Sequence, residues 1–248
     1  HPILHSFPTR RSSDLTGWET FEGYLEAIDG HTAQNAASHL PYANLRAMAC
    51  GFGNGRVDDF QMREIQRQVV IGMEAGAVGV STGLDYISQC FSTTDELAEA
   101  LAPMSRYHGL YVTHVRYKKG LLPALREAVE IGRRANVPVH ISHLKGQSPE
   151  QVEEVLEYID KTARHEVEFS FDVYPYQPGS TMLNYLLPTE IWDQGPLAVL
   201  GRLNDPVMRA RFSDGLEAQR VPVDKLHVAW TLSEENSHLQ GKTLAEVI

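Results

Sequence analysis

The chain has 248 residues, which is long enough for one α/β domain with a sizeable hydrophobic core. Hydrophobic residues make up 42% and charged residues 22%, values that are typical of a globular protein. The net charge of −10 argues against nucleic acid or an anionic membrane as a partner. The sequence contains no apolar run of about 18 residues, so we expect no transmembrane helix. Cys50 and Cys90 form no C-x-x-C pair, so we expect a reducing, cytoplasmic location.

The first 15 residues differ in character from the rest of the chain. Residues 4–15 read L-H-S-F-P-T-R-R-S-S-D-L, which is similar to the translation of a common sequencing adapter; the alternative is a natural leader rich in Arg and Ser. We therefore expect residues 1–15 to be an artefactual adapter-derived segment and residues 16–248 to form the folded domain. We also expect the natural N-terminus, with any signal peptide, to be missing.

The predicted elements alternate between strand and helix. The helix at 59–74 is indicated by Met62, Ile65, Val69 and Met73, which repeat on one face. In chain order, the sequence predicts a strand within 35–50, a helix at 59–74, a strand at 77–81, a helix at 93–107, a strand at 110–115, a helix at 122–135, a strand at 137–143, a helix at 148–164, a strand at 167–173, a helix at 205–219, a strand at 226–231 and the start of a helix at 241–248.

The spacing of the strands indicates a parallel sheet. Strand centres recur about every 30 residues with single helices between them, as in βαβ units. A doubly wound sheet and a (β/α) barrel both fit this pattern, but no glycine-rich phosphate loop supports a nucleotide-binding protein. About five strands are predicted, three fewer than a closed barrel of eight.

Histidines lie at matching positions where two neighbouring strands end. His114 ends the strand at 110–115 and His143 the strand at 137–143, and neutral imidazoles on adjacent strands can share one zinc ion. The alternative is that both are ordinary polar residues at strand ends. His140 is three residues before His143, an odd spacing that predicts a position on the opposite face, against the helices. Arg116 and Lys145, each two residues after a histidine, could bind a substrate carboxylate or simply be solvated.

Several segments resemble the N-acyl-D-amino-acid deacylase (D-aminoacylase) group of the amidohydrolase superfamily. The resemblance runs from about residue 18 to the end of the chain, in order and with similar spacing. The segments are A-G-A-V-G-V-S-T-G-L (75–84), G-L-Y-V-T-H-V-R (109–116), V-P-V-H-I-S-H-L-K (137–145), D-V-Y-P-Y-Q-P-G-S-T (172–181) and L-Q-G-K-T-L-A-E (239–246).

The resemblance implies an α/β fold, namely a partial (β/α)8 TIM-like metal-dependent hydrolase barrel that lacks its first, second and last strands. It implies hydrolysis of the amide bond of N-acyl-D-amino acids with one or two Zn²⁺ ions. His114 and His143 would be the metal ligands. Lys145 and Tyr174 would bind the substrate carboxylate. The remaining residues expected beside the substrate are Tyr86, Ser180 and, from its position at the strand end, Arg116.

The chain departs from the family pattern at several positions. It lacks the H-x-H of the first strand, the N-C-G cysteine of the second and the S-D-G aspartate that is the general base; Asp214 stands in S-D-G but within a predicted helix. Because the S-D-G aspartate is absent, we expect no catalytic base in this chain. A catalytic zinc normally needs three protein ligands, so we also expect weak zinc binding and no hydrolysis by this chain alone. The acidic residue expected after T-H-x-R is replaced by Tyr117-Lys118-Lys119, which puts the usual substrate preference in doubt.

Two other functions remain open at this point. The chain could come from an amidohydrolase of cyclic amides, of the dihydroorotase or hydantoinase type, which needs a bridging carboxylated lysine at a strand end. Lys145, two residues after a histidine, suits a substrate role better. A non-catalytic binding protein is the third possibility, and no pattern indicates an oligomeric state.

Overall fold

The computed structural model describes residues 19–176, 178–218 and 222–248, so the expected adapter segment lies outside the described residues. In the described part of the chain, no helix combines the length and the apolar character needed to cross a membrane. The α-helices are α1 (Phe21–Ile28), α2 (Tyr42–Cys50), α3 (Asp59–Glu74), α4 (Thr94–Leu101), α5 (Leu121–Ala135), α6 (Pro149–Tyr158), α7 (Arg164–Glu166), α8 (Pro196–Leu203), α9 (Pro206–Ala218) and α10 (Leu244–Val247).

The described residues form one parallel sheet of five strands. The strands are β1 (Leu40–Pro41), β2 (Gly79–Gly83), β3 (Leu110–His114), β4 (Val139–Ile141) and β5 (Phe169–Phe171). They pair in chain order, β1-β2-β3-β4-β5. A doubly wound sheet reverses its strand order at a switch point, whereas a barrel does not, so the observed order is that of a partial (β/α) barrel.

The main hydrophobic core lies between the sheet and its helices. Val80, Tyr111 and Val139 point from three neighbouring strands toward the helices and are fully buried. On α5, Leu125 and Ile131 are buried against them, because apolar residues of that helix repeat at helical spacing. Since side chains alternate along a strand, the residues between these core positions face the inside of the partial barrel.

Most predicted elements are confirmed, with α3 at the predicted bounds. Asp58 and Gln61 form a capping box that fixes the start of this helix. The segment 35–50 contributes only a two-residue strand before α2, and the predicted helix at 148–164 is interrupted by a π-helical turn at Ile159–Ala163.

The predicted strand at 226–231 is wrong. This segment forms a single antiparallel bridge, His227 with Thr243, rather than a ladder. Beyond Thr243 the pairing ends because this residue is also the N-cap of α10, where its side chain accepts a hydrogen bond from the backbone of Glu246. On the other side, the N–H of Gly241 donates to the carbonyl of Val228, so no second bridge of the ladder forms.

Candidate metal centre

Two imidazoles face each other at the carboxyl ends of β3 and β4. The Nδ1 atom of His114 lies 3.2 Å from the Nε2 atom of His143. The two rings are 4.9 Å apart and nearly perpendicular, at 74°. The structure therefore brings the two predicted ligands together on neighbouring strands, where the loops of a barrel form its active site.

The separation of these nitrogens fits a shared metal ion. Two nitrogens bound to one tetrahedral zinc ion at about 2.0–2.1 Å lie about 3.3 Å from each other. The observed 3.2 Å between His114 Nδ1 and His143 Nε2 is close to that value. Among the residues that the structure describes, no group of three or more His, Cys, Asp and Glu side chains could hold a metal, so the pair is an incomplete ligand set.

The backbone of His143 adopts an unusual conformation that aims its ring at His114. Its φ is +44°, in the left-handed region that L-residues with a Cβ rarely adopt. Both backbone polar groups are held in place: the N–H donates to Asp172, and the carbonyl accepts the hydroxyl of Tyr117 at 2.9 Å. These two contacts, from two other strand ends, stabilise the turn that would otherwise be strained.

The environment of His143 favours a neutral imidazole. Burial, followed by the neighbouring His114 and Lys145, lowers the pKa of His143 to about 4. Its Nδ1 atom is buried and has no hydrogen-bond partner among the residues that the structure describes. A neutral ring that keeps a lone pair at neutral pH is the form that binds metal ions.

The other ring nitrogen of His114 contacts a buried carboxylate. His114 Nε2 lies 3.2 Å from Oδ2 of Asp85, whose side chain is only 3% exposed. Asp85 follows β2 by two residues and is held beside His114 because the N–H of Leu84 donates to the His114 carbonyl. Tyr185 donates its hydroxyl to the same carboxylate oxygen at 3.1 Å.

Two tyrosine rings lie beside the histidines, and the ammonium of a lysine lies over both rings. The ring of Tyr174 lies 5.6 Å from that of His143, and Tyr117 lies 5.1 Å from His114. The ammonium of Lys145 lies over both tyrosine rings, 5.2 Å from the centre of Tyr117 and 5.6 Å from that of Tyr174. Burial lowers the pKa of Lys145, while the nearby Asp85 acts in the opposite direction.

Tyr86 and Ser180 occupy different environments. The ring of Tyr86 packs edge-on at 4.9 Å from His114, and its hydroxyl is 2.9 Å from that of Thr181. Ser180, the neighbour of Thr181, is exposed. The structure thus places Tyr86 beside the two histidines of the candidate metal centre and Ser180 on the adjoining segment.

Lys118, in the Tyr117-Lys118-Lys119 segment that replaces an expected acidic residue, donates to backbone carbonyls. Its ammonium donates to the carbonyls of Tyr185, at 2.6 Å, and Leu187, at 3.3 Å, and lies over the Tyr185 ring. This charge therefore anchors the segment that crosses the site, rather than projecting freely toward a ligand.

The substrate role expected for Arg116 requires correction. Its side chain is 3% exposed and pairs with the carboxylate of Glu127 at 2.8 Å. Its Nη1 atom donates to the backbone carbonyls of Leu84 and Cys90, and its Nη2 atom donates to that of Ser92. With its donors occupied inside the protein, Arg116 joins the β2 and β3 loops to α5 and is not available for a substrate carboxylate.

The position predicted for His140 is also wrong. Its strand neighbours Val139 and Ile141 are fully buried against the helices, so His140 points to the inner face of the partial barrel. There it contacts Ser170 at 2.8 Å and Asp172 at 3.0 Å. The alternation rule failed because β4 ends at Ile141 and the turn at His143 returns that side chain to the inner side.

Three residues near the site were not singled out from the sequence. Asp85, Tyr117 and Asp172 all lie at the carboxyl end of a strand, the position where a barrel builds its site, so this rule could have identified them. Burial alone would raise the pKa of Asp172, but hydrogen bonds from His140 and from the backbone of His143 outweigh it and lower the pKa.

Comparisons with known proteins point to one enzyme group. No protein-family model matches the chain. A D-aminoacylase of Alcaligenes xylosoxydans xylosoxydans is 36% identical over 172 residues, which cover 67% of this chain and 35% of that protein. An N-acyl-D-glutamate deacylase from the same organism is 31% identical over 166 residues, covering 64% of this chain and 34% of the relative.

The chain is a homologue of the D-aminoacylases. It spans about a third of the length of the curated relatives that it matches. A crystal structure of D-aminoacylase, described as defining a subset of amidohydrolases, aligns with the whole chain at a TM-score of 0.71 and 26% identity and is covered to 47%. A second solved structure is an N-acyl-D-glutamate deacylase from Bordetella bronchiseptica, complexed with zinc and a phosphonate inhibitor. It aligns with 92% of this chain at a TM-score of 0.70 and 24% identity, and 42% of its own chain is covered. This alignment supports the shared fold.

Proposed function

We propose that this chain is part of a zinc-dependent enzyme that hydrolyses the amide bond of N-acyl-D-amino acids to a D-amino acid and a carboxylate. The observation that carries the proposal is the 3.2 Å separation of His114 Nδ1 and His143 Nε2 at adjacent strand ends, in a homologue of the D-aminoacylases. A solved D-aminoacylase is described as having a binuclear metal centre, and it aligns with 75% of this chain.

His114 and His143 would hold the metal ion, with further ligands supplied by parts of the barrel that the described residues do not include. When bound, zinc acidifies a water molecule and polarises the carbonyl that is attacked. The neutral state of His143, favoured by its lowered pKa, keeps its ring available for binding at neutral pH.

Lys145 and Tyr174 would bind the carboxylate of the substrate. The ammonium of Lys145 lies over two aromatic rings and forms no ion pair with a carboxylate of the described residues, so it can pair with an anionic ligand. The Tyr174 hydroxyl can donate to the same anion. Tyr86 and Ser180 would contact other parts of the substrate, Tyr86 from beside His114.

The partner in this proposal is a small molecule, with neither nucleic acid nor membrane involved. A cytoplasmic location is part of the proposal, supported by the free thiols of Cys50 and Cys90. The cyclic-amide alternative is disfavoured because Lys145 lies over Tyr117 and Tyr174, not between the two imidazoles as a bridging ligand would.

Calorimetric titration of the 248-residue chain with zinc tests the metal role. We expect one ion to bind weakly, and His114→Gln or His143→Gln to abolish binding, because each removes one of two ligands. His165→Gln, which changes an exposed histidine of α7, is the matched control and should bind like the unchanged chain. Absence of zinc binding by the unchanged chain would overturn the proposal.

Ligand binding to the zinc-loaded chain tests the substrate class. N-acetyl-D-methionine should bind more tightly than its L-enantiomer, and Lys145→Met should weaken binding of the D-form by at least roughly tenfold, since a charge-assisted contact is lost. We expect no hydrolysis above background from this chain alone. Equal binding of both enantiomers would contradict the assignment to D-amino acids.

A further inference from the structure

Asp85 is a buried carboxylate that the proposed reaction does not yet use. Its side chain is 3% exposed, and burying an ionised carboxylate is unfavourable unless donors surround it. Its donors are the Tyr185 hydroxyl at 3.1 Å, the backbone N–H of Lys118 at 3.4 Å, and the Nε2 side of His114 at 3.2 Å. The contact with His114 is the one that reaches the candidate metal centre.

The geometry at His114 selects one form of its ring. A neutral imidazole carries a hydrogen on only one nitrogen, and an ionised carboxylate can only accept. With Asp85 at Nε2, the hydrogen is placed on Nε2 and the lone pair on Nδ1. That lone pair then faces His143 Nε2, which is the direction of the shared ion.

We propose that Asp85 is a positioning residue of the metal centre: its carboxylate accepts the Nε2–H of His114 and keeps the Nδ1 lone pair directed at a divalent cation. This inference rests on the proposed function, because it assigns the partner of a metal ligand. A carboxylate behind a metal-bound histidine fixes the ring's orientation and strengthens it as a ligand, and its loss weakens metal binding by about 10–100-fold.

A purely structural role for Asp85 has to be separated from this one. The same Oδ2 atom also accepts the hydroxyl of Tyr185, so Asp85 could serve only to fasten the 183–186 segment. Tyr185→Phe removes that contact and leaves the one to His114. Asp85→Asn preserves the size of the side chain but replaces the carboxylate with an amide that can also donate.

The first readout is the state of the His114 ring in the metal-free, full 248-residue chain, measured by long-range ¹H–¹⁵N correlation of labelled histidines. We expect the Nε2–H form in the unchanged chain and in Tyr185→Phe, and a shift toward the Nδ1–H form in Asp85→Asn. The Nδ1–H form in the unchanged chain would overturn the inference even if every variant of Asp85 failed to fold.

The second readout is zinc affinity by calorimetry with a competing chelator. Asp85→Asn should bind zinc about 10–100-fold more weakly, while Tyr185→Phe should stay within about threefold of the unchanged chain. Equal affinity of Asp85→Asn and the unchanged chain would overturn this inference and leave the proposed function standing. If the unchanged chain binds no zinc, the proposed function and the metal role of Asp85 both fail.

Discussion

At the scale of single residues, the two strand-end cations serve different purposes although the sequence presents them alike. Arg116 and Lys145 each follow a histidine by two residues. Arg116 is 3% exposed and its guanidinium is bound by Glu127 and backbone carbonyls, whereas Lys145 is exposed and its ammonium lies over tyrosine rings. Spacing alone could not separate them, because the difference lies in which way the loop after each strand turns.

This difference predicts a stability effect for Arg116. Replacing it with methionine removes the charged partner of Glu127 and a donor to three carbonyls, so Arg116→Met should reduce the free energy of unfolding by about 3–5 kcal/mol, as for other broken buried pairs. Arg134→Met is the control, since its partner Asp95 is 83% exposed, and it should cost less than about 1 kcal/mol. Urea unfolding monitored by circular dichroism measures both. Equal effects for the two variants would show that Arg116 is not a structural ion pair.

Cys90 provides a prediction about pH. Burial raises the pKa of its thiol from an ordinary 9.0 to about 11, although Arg116, Lys118 and Arg46 act in the opposite direction. At pH 8 its thiolate population should therefore be roughly 100-fold below that of an unfolded cysteine, and its reaction with a disulfide reagent slower in proportion. In a Cys50→Ser background, the rate should rise with a midpoint near pH 11 in the folded chain.

The same shift links folding to pH with a definite sign. Because the folded pKa of Cys90 lies above the unfolded one, its contribution to stability is complete below pH 9 and is lost as the pH rises toward 11. Adding Cys90→Ser to the Cys50→Ser background should make unfolding less sensitive to pH across this window. A reactivity midpoint near pH 9 in the folded chain would contradict the burial of the thiol.

At the scale of elements, sequence periodicity predicted the helices and strands but not the directions of the side chains in the loops. The bounds of α3 followed from its apolar repeat and its capping residues, and the strands followed from their spacing. The turn at His143 depends on contacts from Tyr117 and Asp172, which come from other strand ends. No local pattern encodes such contacts, so the inner position of His143 could not be predicted by alternation, and counting back from it placed His140 on the wrong face.

Close packing of α5 on β4 gives a prediction at the scale of elements. A Cβ added at Gly132 would lie 2.1 Å from a methyl carbon of Val139, so Gly132→Ala should destabilise the fold by about 1–3 kcal/mol despite the better helix propensity of alanine. Gly201 lies in α8, and apart from its own helix no atom of the described residues lies within 4 Å of its Cβ position. Gly201→Ala should instead raise stability by up to about 1 kcal/mol. Thermal unfolding of the pair compares them directly, and the same sign for both would contradict this packing.

At the scale of the whole molecule, two apolar clusters differ greatly in size. The main core unites the sheet with α2 to α6, and its residues include Ile65, Leu97 and Ile131, all fully buried. Among the described residues, the second cluster has three buried members, Leu187 and Ile191 before α8 and Val199 within it. Because burial of apolar area is the main favourable contribution to folding, this segment is held by far less of it.

The second cluster is joined to the candidate metal centre by polar contacts. Lys118 donates to the carbonyls of Tyr185 and Leu187, and Asp85 accepts the Tyr185 hydroxyl. These contacts place the more weakly packed segment next to the two histidines. Segments with few buried apolar groups open at lower free energy than the core, and such segments commonly border binding sites.

Hydrogen exchange should therefore reveal two levels of protection. Amides of α5 and β3 should exchange only on global unfolding, whereas those of α8 should exchange through a local opening of lower free energy. Ile191→Ala removes a nearly fully buried side chain from the small cluster, so it should accelerate exchange in α8 and leave α5 unchanged. Leu97→Ala is the converse test, since it weakens the main core and should accelerate exchange in both regions. If α8 were protected as strongly as α5 and responded only to Leu97→Ala, the two clusters would form one cooperative unit.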